Sequence, residues 1–349
     1  MKAFDSFINS ISPTDRVAVI HHTDCDGICS GFIVKESLKR LGKKVILTDS
    51  KAVSALTAGL CRKLRPKEIT KTIFVDLVAD QMPELIKEIK TFSDVLIIDH
   101  HKPNISHDNV IKQDYLGIDY YYPASKLAYD LFSYLVDISD LDWISAVGLV
   151  GDAGYQEIYP KSKQFVDEVI KKYEIISKKD IFDTEIGQVA NSLTYAGDVV
   201  PHRINLAMRV LSNSKKPKDV LDSELRKIAK RVKREIDRQI INFKNNAEKH
   251  GDLLFYEMKS QYHIRGTIIT RLSFSAYTNK TLIIAEREGD KYMVSSRRQD
   301  GKVNISDLMS SLVIGLEGAN GGGHDKAGGA VVKAKDFDKF KERLFRNNY

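Results

Sequence analysis

The chain has 349 residues, 42% of them hydrophobic and 29% charged, with a formal net charge of +7 and a pI near 9.0. That length exceeds one average domain and points to two; the composition is that of a globular protein, and no apolar run is long enough to span a bilayer. The N-terminus lacks the apolar core of a secretory signal and the three cysteines form no even framework, so a cytoplasmic protein without membrane association is expected; the basic balance suits a polyanionic partner without requiring one.

Residues 1 to about 16 read as a short helix with Phe4, Ile8 and Ile11 on its apolar stripe, closed by Ser12-Pro13. Val17 to Ile20 is a strand pattern that ends in His22-Thr23-Asp24-Cys25-Asp26-Gly27. A helix follows, marked by Ile28, Phe32, Leu38 and Leu41 and stopped by Gly42. In extended backbone the alternating His22, Asp24 and Asp26 would point to one side. Two carboxylates and an imidazole that close would raise each other's pKa values unless a cation lay between them. For an isolated motif of this kind, Asp26 capping the helix is the simpler reading. Cys25 and Cys29 have no second pair to complete a tetrahedral zinc site, so they read as filler beside the acids.

Further strand patterns occur at Val45–Leu47, at Ile73–Val75 running into Asp76, and at Val95–Ile98 running into Asp99-His100-His101, with helical patterns between them. This alternation predicts an α/β fold: a mostly parallel, twisted sheet with helices on both faces. The C-terminal strand ends of such a sheet share one rim, where open α/β sheets bind ligands. Residues 115–123 are aromatic and turn-like; Tyr120-Tyr121-Tyr122-Pro123 is either a base-stacking shelf or, more simply, packing at the sheet edge. From Ala124 to about Leu211 the patterns are helical (Leu127-Leu131-Leu135, Trp143-Val147-Val150, then Ile186 to Val200), and Gly148 to Gly154 carries a fourth acid, Asp152, toward the rim.

Residues 215–250 hold twelve Lys and Arg against six Asp and Glu, a net of +6. Leu221, Leu225, Ile228, Val232, Ile236, Ile240 and Phe243 recur on one helical face, which predicts a single long basic connector of about 50 Å. A smaller α/β domain follows, with strands at Leu253–Tyr256, Thr281–Ala285 and Tyr292–Ser295, helices near Gly266–Tyr277, Ile305–Ile314 and Phe337–Phe345, and a glycine-rich loop from Gly315 to Gly329 around His324. The expected division is therefore 1–214, 215–250 and 251–349.

His22-x-Asp24-x-Asp26-Gly27, Asp76, Asp99-His100-His101 and Gly151-Asp152, in this order, resemble the four motifs of the DHH phosphoesterase family. Ser295-Ser296-Arg297 followed by Gly321-Gly322-Gly323-His324 is similar to that family's associated C-terminal domain. The resemblance spans nearly the whole chain. His22, Asp24, Asp26, Asp76, His100 and Asp152 are too many donors for one divalent ion and suit two. The resemblance implies that His22, Asp24 and Asp76 hold one ion and that Asp26, Asp76, His100 and Asp152 hold the other, with Asp76 shared. It further implies that Asp99 orients His100 and that His101 donates to the scissile phosphate, so that His101, Asp99 and Asp76 are the catalytic residues. Mixed oxygen and imidazole donors favour two Mn²⁺ ions per chain, with Mg²⁺ as a weaker substitute. Such a pair supports in-line displacement at phosphorus.

Ser295, Arg297, Gly321, Gly322, Gly323 and His324 would bind substrate, the glycine loop offering N–H groups and the arginine its planar fork across an interdomain cleft; Arg298 alternates to the opposite strand face. The expected activity is a manganese-dependent phosphodiesterase that hydrolyses single-stranded RNA or DNA, or short oligonucleotides, from an end, similar to RecJ-like exonucleases and oligoribonucleases. Alternatives are a cyclic-dinucleotide or small nucleotide phosphohydrolase, and a non-catalytic scaffold partnering replication or repair proteins. Pyrophosphatase activity is disfavoured, because relatives with it space the histidine of the first motif further from the acids.

Overall fold

In the computed structural model, residues 2–53, 56–101, 109–118, 121–199 and 202–346 are described. They form two compact units, residues 1–197 with 202–229, and residues 198–201 with 230–349.

The first unit is built on five strands, β1 (Val17–His22), β2 (Val45–Lys51), β3 (Lys71–Val75), β4 (Asp94–Asp99) and β5 (Val110–Lys112), in the order β2-β1-β3-β4-β5. Every neighbouring pair is parallel. Alternation along β1 explains why both faces are covered. Val17 and Val19 enter a large cluster with α1 (Lys2–Ser10) and α2 (Cys25–Arg40), whereas Ala18 and Ile20 enter a smaller one with α3 (Gly59–Leu64) and α4 (Pro83–Lys90). Five more helices, α5 (Ala124–Ser133), α6 (Asp142–Gly151), α7 (Pro160–Lys172), α8 (Glu185–Asp198) and α9 (Ile204–Ser212), thicken the α2 side, where Trp143, Phe132 and Phe4 are fully buried. The strand order reverses at β1, between β2 and β3, and the C-terminal strand ends at such a reversal are where open α/β sheets bind ligands.

The predicted 50 Å connector is instead two helices. Pro217 starts α10 (Pro217–Leu221), the chain turns at Asp222–Glu224, and α11 runs from Leu225 to Asn246. At 1.5 Å per residue α11 is about 33 Å long. Leu225, Val232, Ile236 and Phe243 are its buried face, as the spacing predicts, and the two units divide within it, at 229/230.

The second unit carries β6 (Glu248–His250), β7 (Leu253–Met258), β8 (Thr281–Glu288), β9 (Lys291–Arg297), β10 (Asn320–His324) and β11 (Ala327–Lys333), ordered β10-β11-β9-β8-β7-β6. Among the described residues of this sheet, only β7 and β8 pair in parallel. The expected glycine-rich loop is thus in large part a hairpin: Gly321, Gly322 and Gly323 lie on β10, opposite Ala330, Gly329 and Gly328 of β11. Helices α13 (Ile305–Leu312) and α14 (Phe337–Arg346) pack with Val294, Ile283 and Ala330 on one sheet face. A Cβ on Gly321 would overlap the Met309 carbonyl of α13, so glycine there lets a helix backbone lie directly on the strand. Helix α12 (Arg265–Ser275) packs against β8 and β9. Among the described residues no helix is long and apolar enough to cross a membrane.

Candidate metal centre

Three stretches of the first unit converge at the strand ends. His22 is the last residue of β1, Asp76 follows β3, and Asp99 is the last residue of β4, with His100 and His101 directly after it. The first motif converges differently from the extended alternation expected of it. Asp24 is the N-cap of α2, with extended backbone and its Oδ1 accepting from Gly27 N at 2.9 Å, and Asp26 already lies in the first helical turn. Asp24, rather than Asp26, is therefore the cap. Asp26 reaches the other way, its carboxylate oxygens accepting from the N–H groups of Ala124 at 2.7 Å and Ser125 at 3.0 Å at the start of α5. Close approach is built in by glycine: a Cβ on Gly27 would collide with His22, and one on Gly148 of α6 with Ser125 and the Asp26 carboxylate.

Among the described residues the donors gather into three overlapping sets, each with ligand atoms within 4.8 Å of one another: His22, Asp24 and Asp76; Asp26, His100 and Asp152; and Asp76, His100 and His101. His22 Nδ1 is 2.8 Å from Asp24 Oδ2 and 3.9 Å from Asp76 Oδ2. His100 Nε2 is 3.3 Å from Asp76 Oδ1 and 3.4 Å from Asp152 Oδ2. Asp76 is thus the carboxylate that meets both imidazoles.

Its environment is unfavourable for an anion. Asp76 is 2% exposed, its φ is +57°, and its Oδ1 receives no well-directed hydrogen bond. Burial, then the charges of Asp26, Asp24 and Asp152, push its carboxyl well above the usual range. Burial, then Asp26 and Asp24, do likewise to Asp152, and burial raises Asp26 to about 6. Asp24 goes the other way: burial opposes its charge, but His22 outweighs burial and holds it below the usual range. A buried, unpaired carboxylate among carboxylates is costly unless a cation compensates it, so the donor set fits divalent metal.

The adjacent histidines are distinct. Burial, then His101, depress His100 to about 4, leaving a neutral imidazole suited to a metal. His101 is bonded through Nδ1 to Asp99 Oδ1 at 2.8 Å; burial opposes its charge, but that bond and the carboxylate overcome it and raise its pKa. Asp99 therefore orients His101, where the resemblance had implied His100.

Tyr121, read from the sequence as stacking or packing, donates its hydroxyl to the Asp152 carbonyl at 2.8 Å and to Asp152 Oδ2 at 2.5 Å. It also stacks on Tyr159 and meets the His100 ring edge-on at 5.8 Å. Tyr120 lies outside the described residues. A cavity of about 540 Å³, lined by residues such as His21, Lys35 and Ser50, includes none of the metal donors.

In the second unit, Arg297 pairs with Ala327 and Ala327 with His324, so Arg297 and His324 share one row and one face across three strands, about 9.5 Å apart. Gly329 and Gly322 extend Ser295 into a neighbouring row that is glycine on two of its three strands. Arg297 is half-buried, bonds the Ser296 carbonyl and has no acidic partner among the described residues. Ser295 accepts from Arg265 at 3.0 Å. Arg298, by contrast, is 1% exposed and tied to Asp300, Thr281 and Asp252.

Residues 16–153 match the DHH family N-terminal domain and residues 264–347 the DHHA1 domain. An uncharacterized protein of Methanocaldococcus jannaschii is 25% identical, the match covering 94% of this chain and 92% of that protein. Among solved structures, RecJ from Thermus thermophilus in complex with Mn²⁺ superposes with a TM-score of 0.74 at 16% identity, over 99% of this chain and 54% of that one. This chain therefore spans about half of that RecJ. A pGpG-specific phosphodiesterase, PggH, from Vibrio cholerae gives a TM-score of 0.54 at 14% identity over 95% and 98% of the two chains. The fold is that of RecJ-like phosphoesterases.

Proposed function

We propose, on the premise that this chain has the DHH–DHHA1 domain architecture, that it is a metal-dependent phosphodiesterase that removes nucleotides from an end of short single-stranded oligonucleotides. The observation that carries this reading is Asp76, a buried carboxylate set between two imidazole–carboxylate groups and short of hydrogen bonds. His22, Asp24 and Asp76 would hold one divalent ion, and Asp26, Asp76, His100 and Asp152 a second, manganese by donor type and magnesium as a substitute. When bound, such a pair supplies an acidified water and charge neutralisation at phosphorus.

The chain's own side chains do the rest. Asp99 holds the His101 ring through Nδ1, leaving Nε2 to donate a proton or hydrogen bond to a phosphoryl oxygen. Tyr121 fixes the Asp152 carboxylate, and the backbone of α5 fixes that of Asp26. Arg297 and His324, with the glycine backbone between their strands, would take a neighbouring phosphate of the substrate. None of the six metal donors is degenerate in type, which favours an enzyme over a non-catalytic scaffold.

The short-substrate reading draws support from PggH, whose pGpG is a dinucleotide. A small-nucleotide or cyclic-dinucleotide phosphohydrolase remains the second reading on the same ground. Buried, unpaired Cys25, Cys29 and Cys61 agree with a reducing, cytoplasmic setting. The test is digestion of 5′- and 3′-labelled RNA and DNA, two to twenty nucleotides long, and of cyclic dinucleotides, with Mn²⁺ or chelator. Stepwise loss of terminal nucleotides only with metal supports the proposal; metal-independent cleavage, or none on any linear substrate, refutes it.

A further inference from the structure

Lys112 is the last residue of β5, directly across the parallel pairing from Asp99. Its side chain is fully buried, and Nζ lies 2.9 Å from Asp99 Oδ2, 2.9 Å from Asp80 Oδ2 and 3.0 Å from the His101 carbonyl. Packing alone does not call for a charge there. A buried ammonium loses its hydration and holds its place only if neighbouring charges and acceptors compensate it, and replacing such a group by a hydrophobic residue of similar volume is often neutral or stabilising. What distinguishes this lysine is the groups it meets: it hydrogen-bonds the His101 carbonyl and forms ion pairs with Asp99 and Asp80, whose Oδ2 atoms receive no well-directed hydrogen bond. Asp99 holds the His101 ring by its other oxygen, and the His101 carbonyl is the backbone of that same residue. Lys112 therefore grips His101 at both ends, through the ring's anchor and through the main chain. Asp80, 2% exposed in the turn after β3, supplies the second carboxylate.

We propose that Lys112 is a positioning residue for His101, the second member of a buried chain Asp80–Lys112–Asp99–His101 that aims His101 Nε2 at the substrate phosphate. It rests on the role proposed above for His101. None of these three partners belongs to the six residues assigned to metal, so the effect of Lys112 on turnover is separable from metal occupancy.

The experiment is a double-mutant cycle on the manganese-loaded enzyme with Lys112→Met, His101→Ala and the two combined, following kcat, KM, bound Mn²⁺ and melting temperature. Lys112→Met should lower kcat about 10–100-fold, a part of what one general acid contributes, while KM and bound Mn²⁺ stay within about twofold. In the His101→Ala background it should change kcat less than about twofold, because the ring it positions is gone. If Lys112→Met fails to fold, the charge-balanced pair Asp80→Asn/Lys112→Met replaces it in the same cycle. A loss that multiplies in full onto His101→Ala, a folded Lys112 variant with wild-type kcat, or a loss that tracks lost Mn²⁺ overturns the inference while leaving the His101 reading standing. Full activity of His101→Ala overturns both.

Discussion

Asp76→Asn separates the electrostatic cost of the centre from its use. In chelator, the Asp76 carboxylate lacks a good donor at Oδ1 and lies among Asp24, Asp26 and Asp152. Its folded pKa is raised above the unfolded value of 3.8, so the folded state holds its proton more tightly. Stability from this group is fully present below pH 3.8 and is lost as pH rises through the folded pKa. Asparagine keeps the shape and tolerates φ of +57° better than most residues, whereas alanine would add strain. Relieving one badly satisfied buried group is worth about 1–3 kcal/mol. For a unit of roughly 200 residues this is a rise in melting temperature of about 2–12 °C at pH 8 in chelator. The same variant should lose most bound Mn²⁺ and nearly all turnover, and its melting temperature should gain less from added Mn²⁺ than that of the wild type. Calorimetry across pH 5–8, with chelator and with Mn²⁺, measures both effects. An Asp76→Asn protein that melts below the wild type in chelator, or that keeps full metal and full rate, refutes the reasoning.

Arg297→Ala should raise KM by about 1.5–3 kcal/mol equivalent, as expected for one charge-assisted contact, with bound Mn²⁺ unchanged; emptied metal sites would show that the phosphate contact and the centre are not separable. On α11, Lys233 is compensated by Asp237 at 3.6 Å, and Arg238 by Glu235, while Lys230, Arg231 and Arg234 are at least partly exposed. Charge reversal of Lys230, Lys233 and Arg234 together should leave kcat/KM on a trimer within about twofold and its salt dependence shallow, since few phosphates are neutralised. A large loss confined to a twenty-mer would instead make α11 a strand-binding surface.

The parallel sheet was legible because apolar runs ending in acids carry both the strand and its rim residue in one pattern, as in Thr72–Asp76 and Val95–His101. Strand β5 was not: three residues, Val110-Ile111-Lys112, are too few for a period. Strands β10 and β11 were missed for another reason. Their glycines erase the alternation that announces a strand, and they are there because α13 and the neighbouring strands press on the backbone at Gly321, Gly328 and Gly329. The break between α10 and α11 lies at a polar Asp222–Glu224 turn that leaves the helical spacing of Leu221, Leu225 and Ile228 intact, so periodicity alone could not find it. At the centre, residue types and order announced the donors. Tyr121 and Lys112 carry no local signal, since their partners Asp152, Asp80 and Asp99 are 13 to 32 positions away and only the packed fold introduces them.

Two of the proposed metal donors also hold helix starts with their side chains: Asp24 begins α2, and Asp26 accepts the first N–H groups of α5. The proposed ligation and these helix starts thus draw on the same two side chains, which constrains how the proposed centre could be lost. Replacing Asp24 by alanine would lose both ion and cap, the latter costing about 1 kcal/mol. Serine or asparagine would give up the ion and keep the helix start, so a silent lineage has an open path through short polar substitutions at these positions. Its sequence would still hold the outline of an emptied centre, hydroxyls and amides standing where carboxylates once were, while the architecture around it stayed whole.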